Sequence, residues 1–209
     1  MTEIVAIDGP ASVGKSSLAK KLAAKFKCPV LDSGRLYRSV ALEMLINNIK
    51  QDNKKGILNC VNKIDSNLKS KNIFSNEVSR LSAKISTKKY LRESLKQYQL
   101  DFPKKYAKGN RLVICVGRDI ATVIFPKAKY KIFLFADARV RAERRYLQIK
   151  KNGKSVSFKS VLKEINNRDK MDFNRKIAPL RPAVNSYFID TSKINITQAL
   201  NMVNKLILK

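Results

Sequence analysis

Short apolar runs and amphipathic stretches alternate along most of the chain. Continuous apolar segments at residues 4–7 and 112–116 predict buried strands, since a strand covered on both faces needs no polar alternation, and a further strand is expected at 130–135. Apolar residues recur at helical spacing between such segments, first over residues 18–26. Strands that alternate with helices predict a three-layer α/β fold with a parallel central sheet.

The weaker patterns predict the remaining elements. Short strands are expected at 29–31 and 187–189, and helices at 35–49, 77–86, 88–101, 138–150 and 158–173. Pro103 is expected to stop the helix before it. A last helix is expected up to Leu208, with Asn195 and Gln198 as its capping pair. The segment 50–76 is rich in Lys and Asn, which predicts a helical or loop insertion outside the sheet.

The most specific motif lies between the first strand and the first helix. Residues 9–16 fit the pattern G-x-x-x-x-G-K-[ST], in which backbone N–H groups surround phosphate oxygens. The helix that follows adds its free N–H groups and its dipole. We therefore expect Lys15 to reach the β- and γ-phosphates of a nucleotide, and Ser16 to hold Mg²⁺. The alternative is a chance glycine turn before a helix.

Composition narrows the classes of chemistry. The 209 residues include 44 Lys and Arg against 16 Asp and Glu, a net charge of +28 that attracts anions. The lysines are scattered, which favours a solvated surface over a specific nucleic-acid footprint. The absence of His excludes Ser-His and Cys-His catalysis, and the three distant cysteines argue against a metal centre. No apolar run is long enough to cross a membrane, so we expect a cytoplasmic protein.

Two arginine sets are candidates for anion binding. Arg141, Arg144 and Arg145 would share one face of a helix, where three like charges gain nothing unless an anion compensates them. A solvated basic face is the alternative. Arg168, Asp172 and Arg175 would also lie on one stripe. That stripe is consistent either with an exposed ion-pair ladder or with a polar face beside the following loop.

Two carboxylates occur at the ends of predicted strands. Asp8 precedes the glycine loop and Asp119 follows the strand at 112–116. Each is a candidate for Mg²⁺ or substrate binding, and each could instead cap a helix. Residues 62–65 match the guanine-reading pattern N-K-x-D, but they lie in a Lys- and Asn-rich stretch without a preceding strong strand. We interpret that match as chance.

Taken in order, several segments resemble one family. They are residues 7–17, 31–38, 117–126, 131–134, 141–145, 168–169, 174–175 and 178–183. This set resembles the bacterial cytidylate kinases, which are nucleoside monophosphate kinases. The resemblance covers nearly the whole chain apart from about 50–80. Asp-Ser-Gly-x-x-Tyr-Arg at 32–38 and Gly-Arg-Asp at 117–119 make it specific.

The resemblance implies a fold and an activity. The fold would be a single P-loop kinase domain over 1–209, with an acceptor-nucleotide-binding insertion at about 35–105 and a short lid at about 139–176. The activity would be transfer of the ATP γ-phosphate to CMP or dCMP with Mg²⁺, in pyrimidine nucleotide metabolism. We also expect a cytoplasmic monomer that has nucleotides as its partners and binds neither membranes nor specific nucleic acids.

The resemblance also implies residue roles. ATP would be bound by Gly9, Pro10, Ala11, Ser12, Val13, Gly14, Lys15, Ser16 and Ser17. Lys15 and the lid arginines Arg141, Arg144 and Arg145 would be catalytic. The acceptor phosphate would be clamped by Arg38, Arg118 and Arg168. Cytosine would be contacted by Arg92 and Arg175, and the sugar by Asp172. The acceptor site would also include Ser33, Tyr37 and Asp119.

The chain departs from the family pattern near the expected base site. The segment 57–76 is shorter than the family's insert and lacks strand-like alternation, and Ala83 occupies a position where a serine is expected. Ala121 also stands where Gly is commoner. Base selectivity is therefore less firmly implied than phosphoryl transfer. The alternatives are a P-loop kinase of another small metabolite and, given the charge, a nucleic-acid-binding ATPase.

Overall fold

Parallel strands form the central sheet of this computed structural model, which describes residues 2–151, 153 and 155–208. The strands are β1 (Glu3–Asp8), β2 (Val30–Asp32), β3 (Leu112–Gly117), β4 (Tyr130–Phe135) and β5 (Tyr187–Asp190). Their order is β2-β3-β1-β4-β5, with β1 parallel to β3 and β4, and β4 parallel to β5. The register places Val5 opposite both Ile114 and Tyr130.

Helices connect and cover the strands. Those in the described part of the chain are α1 (Lys15–Phe26), α2 (Ser33–Ile46), α3 (Lys54–Cys60), α4 (Ile64–Asn67), α5 (Asn76–Ile85), α6 (Lys89–Tyr106), α7 (Ala138–Lys151), α8 (Phe158–Asn174) and α9 (Ile196–Leu208). A π-helical turn, Ile120–Ile124, follows β3. None of the helices described is both long and apolar enough to cross a membrane.

The chain divides into two compact units. The first unit comprises Met1–Leu31 and Tyr106–Lys209, and the second comprises Asp32–Lys105. The second unit covers the segment in which the sequence predicted an insertion. The single-domain organisation and the lid boundaries stay predictions.

The core of the first unit lies between the sheet and the helices α1 and α9. Ile7 and Ile114 of the central strands pack with Leu18 of α1 and Val203 of α9, and all four are fully buried. Burying an aliphatic side chain of this size contributes roughly 1.5–3 kcal/mol. The apolar runs of the strands and the periodic apolar residues of the helices therefore pack into one core.

The predicted capping pair of the last helix is confirmed. The Asn195 carboxamide oxygen accepts a hydrogen bond from the Gln198 N–H at 3.0 Å, and Gln198 Oε1 accepts one from the Asn195 N–H at 2.8 Å. This reciprocal arrangement satisfies two N–H groups that the first turn of α9 would leave unpaired.

The second unit is helical wherever the structure describes regular structure in it. Two 3₁₀ turns, Val61–Lys63 and Lys71–Phe74, join its helices. The expectation that Pro103 ends the helix before it was wrong, because α6 continues through Pro103 to Tyr106. A proline removes one helical hydrogen bond but need not end a helix that packing holds. Here Leu91 and Leu95 anchor the preceding turns in the core.

Candidate active site

The glycine loop joins β1 to α1 and depends on backbone conformations that favour glycine. Gly9 has φ of +149°, and a Cβ atom there would lie 2.2 Å from the carbonyl oxygen of Leu134. Gly14, at the start of α1, has φ of +100°. The two glycines let the loop curve tightly beside β4, so the free N–H groups at the start of α1 are available to an anion.

The side chain of the loop lysine, Lys15, folds back and hydrogen-bonds to the backbone of the loop. Lys15 is the first residue of α1 and is buried, and its Nζ donates hydrogen bonds to the carbonyl oxygens of Gly9 at 2.7 Å and Pro10 at 2.6 Å. Ser16 follows at the exposed start of the same helix. The ammonium group of Lys15 therefore lies next to the backbone of the loop, within reach of any phosphate that the loop binds.

Asp8 supports the structure next to the loop. Its buried carboxylate accepts hydrogen bonds from the N–H groups of Ile120 at 2.9 Å and Ala121 at 2.8 Å. Of the roles left open for Asp8, the contacts show a cap on the π-helical turn after β3. Burial raises the pKa of this carboxyl to about 6, and the two N–H donors only partly oppose that rise.

Arg141 contacts the loop directly. Its buried guanidinium donates from Nη1 to the Ala11 carbonyl oxygen at 3.1 Å and from Nε to the Ala136 carbonyl oxygen at 2.9 Å. The same Nη1 forms an ion pair with Asp169 at 2.6 Å. Asp169 in turn accepts a hydrogen bond from the Ala11 N–H at 3.4 Å. Arg141 of α7 and Asp169 of α8 therefore both bind the backbone of Ala11 in the phosphate loop, one at its C=O and the other at its N–H.

The other two arginines of the predicted set take different directions. Arg144 donates to the hydroxyl of Thr191 at 3.2 Å and also to its carbonyl oxygen, just after β5. Arg145 donates to Gln148 on its own helix at 3.0 Å. Helical spacing placed the three on neighbouring turns, but only Arg141 contacts the loop in the conformation that the structure describes.

Beside the loop lies a cavity of about 200 Å³ that the sequence reasoning missed. Its walls include Val13, Leu18, Thr191, Asn195, Ile196 and Arg144. Thr191 and Asn195, which follow β5, contribute two of its polar side chains. The signal that could have found them is positional, since ligands bind beyond the carboxyl ends of strands in open parallel sheets.

A cluster of arginines surrounds Asp172 on α8, also within the first unit. Asp172 Oδ2 receives Arg118 Nε at 2.8 Å and Arg168 Nε at 3.1 Å, and Oδ1 lies 3.8 Å from Arg175 Nη1. Arg175 Nη2 lies 3.7 Å from Asp119. We call these five residues the Asp172 cluster. Burial alone would raise the pKa of Asp172, but Arg118 and Arg168 outweigh it and hold that pKa at about 2.

The cluster decides between the two interpretations of its stripe. Asp172 is buried and Arg175 nearly so, thus the residues are not an exposed ladder. Three arginines against two aspartates leave a formal excess of one positive charge in a partly desolvated place. The excess favours binding of an anion.

Predicted acceptor residues in the second unit are held by neighbours in that unit. Arg92 is buried, donates to the Ser86 carbonyl oxygen at 3.0 Å and lies 5.7 Å from the centre of the Tyr37 ring. Ser33 is buried at the start of α2. These contacts fix Arg92 and Tyr37 relative to one another.

Arg38 is also held in place, by residues that the sequence reasoning did not single out. It donates to the Ser79 hydroxyl at 2.6 Å and to the Ile73 carbonyl oxygen at 3.3 Å. Its guanidinium also lies 5.8 Å from the ring centre of Phe74, which is 55% exposed. The segment 57–76 thus supplies two of the supports of Arg38, and α5 supplies the third. A contact between an arginine and a ring 36 positions further along the chain cannot be inferred from sequence.

The donor set fits a metal ion that arrives with a nucleotide. In the described ranges no group of three or more His, Cys, Asp or Glu side chains could hold an ion by itself. Ser16 offers one hydroxyl at the exposed start of α1, while Asp8 is already engaged by two N–H groups. Mg²⁺ ordinarily keeps water and phosphate oxygens as most of its ligands, and one or two protein groups suffice.

The combination of this loop with a parallel sheet of this strand order defines a P-loop kinase. Comparison with solved structures agrees on the fold. An uncharacterized protein from Eubacterium ventriosum superposes with a TM-score of 0.55 at 19% identity, covering 99% of this chain and 98% of that one. A shikimate kinase from Bacteroides thetaiotaomicron superposes with a TM-score of 0.52 at 12% identity, covering both chains completely. The expected α/β P-loop kinase fold is confirmed.

Sequence comparison identifies the family. The family model described as cytidylate kinase matches residues 5–209. The cytidylate kinase of Clostridium tetani is 36% identical over 99% of this chain and 94% of its own length. The cytidylate kinase of Fusobacterium nucleatum is 36% identical over 99% of this chain and 97% of its own length. The cytidylate kinase of Caldicellulosiruptor bescii is 37% identical over 98% of this chain and 95% of its own length. The chain belongs to the cytidylate kinase family, as the resemblance implied.

Proposed function

We propose that the protein transfers the γ-phosphate of ATP to CMP or dCMP, giving ADP and CDP or dCDP. The observation that carries this proposal is the presence, in one unit, of a glycine loop with a buried lysine and of the Asp172 cluster. Membership of the cytidylate kinase family supports the choice of substrates.

On the donor side, the loop would bind the ATP phosphates through its N–H groups. Lys15 would exchange its contacts with the Gly9 and Pro10 carbonyls for contacts with the β- and γ-phosphates. The cavity beside the loop would take the adenine, because its wall combines apolar surface with the polar groups of Thr191 and Asn195. Gly9 to Ser17 would then form the ATP site.

On the acceptor side, Arg118 and Arg168 would bind the phosphate of CMP, and the family pattern gives Arg38 the same role. Arg175 and Asp172 would contact the nucleoside, and Asp119 would keep Arg175 in place at 3.7 Å. The family pattern also assigns Ser33, Tyr37 and Arg92 to acceptor binding. These roles follow the family pattern and the charge of the cluster, whose excess positive charge suits a phosphate.

Phosphoryl transfer requires little covalent chemistry from the side chains of the protein. The reaction depends on aligning the acceptor oxygen with the γ-phosphorus and on stabilising the charge that spreads over the transferring group. Lys15 and Arg141 would supply charge at the loop, and Arg144 and Arg145 would join them when α7 and α8 close over the nucleotides. Closure would keep water from accepting the phosphate. Mg²⁺, held by Ser16 and the phosphates, would neutralise part of their charge.

The location and the assembly state stay predictions. We expect a cytoplasmic monomer whose partners are ATP, CMP and dCMP. Specific binding of nucleic acid is not expected, since the positive charge is spread through the sequence.

A panel of acceptors tests the proposal. Steady-state assays with ATP and Mg²⁺ compare CMP, dCMP, UMP and AMP, and we expect CMP or dCMP to have the highest kcat/KM. A severalfold preference for UMP or AMP would contradict the cytidine assignment while leaving the kinase class intact. ATP hydrolysis with and without single-stranded RNA tests the alternative. Strong stimulation by RNA together with no transfer to any nucleotide would favour a nucleic-acid-dependent ATPase.

A further inference from the structure

Asp169 contacts the phosphate loop, but the proposed function gives it no part in binding or in transfer. It directly follows Arg168 on α8, and its side chain is only 14% exposed. One carboxylate oxygen pairs with Arg141 Nη1 at 2.6 Å, and the other accepts from the Ala11 N–H at 3.4 Å. A carboxylate in this place repels the phosphates that the loop is expected to bind, so it needs a compensating use.

That use is the orientation of Arg141. The Arg141 side chain is 6% exposed, and two of its three anchors are neutral carbonyl oxygens, those of Ala11 and Ala136. Within the described residues, Asp169 provides the only ion pair recorded for this guanidinium. A buried guanidinium that loses its counter-charge is strongly destabilised and turns toward water wherever its side chain allows.

The three anchors also fix the plane of the group. Nε and Nη1 are both engaged, while Nη2 has no partner among the residues that the structure describes. A planar guanidinium held at two of its nitrogens presents its remaining N–H groups in a fixed direction. Asp169 therefore determines where Arg141 stands relative to the Ala11 peptide before any nucleotide binds.

We propose that Asp169 is a positioning residue for phosphoryl transfer, which holds Arg141 against the phosphate loop through a buried ion pair. This inference rests on the proposed function, in which Arg141 stabilises the transferring phosphoryl group. Its consequence is specific to turnover. Loss of Asp169 lets Arg141 move away from the γ-phosphate, while the Asp172 cluster that binds the acceptor stays as it is.

The experiment is a double-mutant cycle read as kcat, as KM for CMP and as the dissociation constant of ATP. We expect Asp169→Ala to lower kcat about 10- to 100-fold, the size of effect that misplacing a catalytic group produces. KM for CMP should change by less than about twofold, as expected for an effect confined to the transition state. ATP should bind as tightly as to the wild type or more tightly, because one negative charge near its phosphates is gone. A general structural defect would weaken both substrates.

The second arm asks whether Asp169 acts through Arg141. In the Arg141→Ala background, Asp169→Ala should cause no further loss of kcat, since the group that it positions is absent. Asp169→Asn keeps an acceptor oxygen and should lie between the wild type and Asp169→Ala. If the alanine variant does not fold, the same cycle is run with Asp169→Asn. Glu143→Gln, which removes an exposed charge from α7, is the control and should match the wild type.

Two outcomes overturn the inference and separate it from the proposed function. If Arg141→Ala loses turnover while Asp169→Ala keeps it within about twofold, Asp169 does not position Arg141 and the kinase mechanism stands. Equal, additive losses in both backgrounds lead to the same conclusion. Full turnover of Arg141→Ala would instead remove the catalytic role of Arg141 and the inference together. Failure of the wild type to phosphorylate CMP would be seen before any variant is made.

Discussion

The phosphate loop and the Asp172 cluster both prepare the first unit for an anion, but they do so with different parts of the chain. The loop uses eight consecutive residues, and its geometry comes from the backbone at Gly9 and Gly14. The cluster uses side chains from the segment after β3, from α8 and from the turn that follows α8. The phosphate loop therefore depends on the room that its glycines leave for the backbone, and the Asp172 cluster depends on the balance between its arginines and its aspartates.

This difference determines how each site tolerates change. Only substitution by proline removes a backbone N–H group, so for other substitutions the loop is sensitive to added volume and to the loss of its buried ammonium, that of Lys15. The cluster contains formal charges in a low-dielectric place, where removing one partner leaves the others uncompensated. Substitutions in the two sites should therefore separate into effects on turnover, on acceptor binding and on folding.

The largest effect is expected from the loop lysine. Lys15→Ala removes the charge closest to the transferring phosphate, and kcat with ATP and CMP should fall by about 10²–10³-fold or more, the loss typical for one stabilising group in a preorganised site. Far-UV circular dichroism should be unchanged, because the core residues of α1 stay packed.

The matched control is Lys20→Ala, on the same helix but exposed. It removes the same charge and should leave kcat within about twofold of the wild type, as a screened surface charge would. If the two variants lost activity equally, the general positive field rather than the loop position of Lys15 would explain the effect.

The cluster should respond differently. Asp172→Asn replaces the shared carboxylate with a carboxamide that cannot balance three guanidiniums, and KM for CMP should rise about tenfold or more. The free energy of unfolding should fall by about 3 kcal/mol, as is usual when a buried ion pair is broken. The dissociation constant of ATP is expected to change little. Urea denaturation and isothermal titration provide the two readouts.

Asp52→Asn makes the same chemical change at an exposed position and serves as the control. An ATP affinity that fell together with the CMP affinity would show that the cluster supports the loop as well, and the comparison between the two sites would fail.

The contrast also explains what could be predicted from sequence. The loop was visible because its residues are contiguous and its neighbours, a strand and a helix, are local patterns. Arg118, Arg168, Asp172 and Arg175 were named, but only family resemblance connected Arg118 with α8, since the two segments are 50 residues apart in sequence. The cap formed by Asp8 and the cavity wall formed by Thr191 depend on packing between distant segments. Phe74 ends a short 3₁₀ turn, where no periodicity indicates what it contacts.

A third prediction concerns space in the loop. In Gly9→Ala the new Cβ would meet the Leu134 carbonyl oxygen, and the backbone would also be held at φ of +149°, so the free energy of unfolding should fall by roughly 3 kcal/mol. Gly109→Ala has positive φ of +84° but nothing within 4 Å of its Cβ, and it should be less destabilised. Equal losses in thermal melts would mean that conformational strain alone, and not the approach of β4, sets the requirement for glycine.

The smallest effect distinguishes Asp8 from Asp172 by the sign of the response of stability to pH. The pKa of Asp8 rises from 3.8 to about 6 because of burial, so the folded protein binds a proton more tightly than the unfolded chain. Asp8 should therefore make stability decrease as pH rises from about 4 to about 6, by roughly 2–3 kcal/mol.

The pKa of Asp172 lies at about 2, so its stabilisation is present above about pH 4 and is lost as pH falls toward 2. Urea denaturation from pH 2 to pH 8 measures both, with Asp8→Asn and Asp172→Asn as the variants that remove each slope. A difference curve between wild type and Asp8→Asn that is flat from pH 4 to pH 6 would show that Asp8 titrates as an ordinary carboxyl, and the distinction between the desolvated carboxylate beside the loop and the arginine-paired one in the cluster would no longer hold.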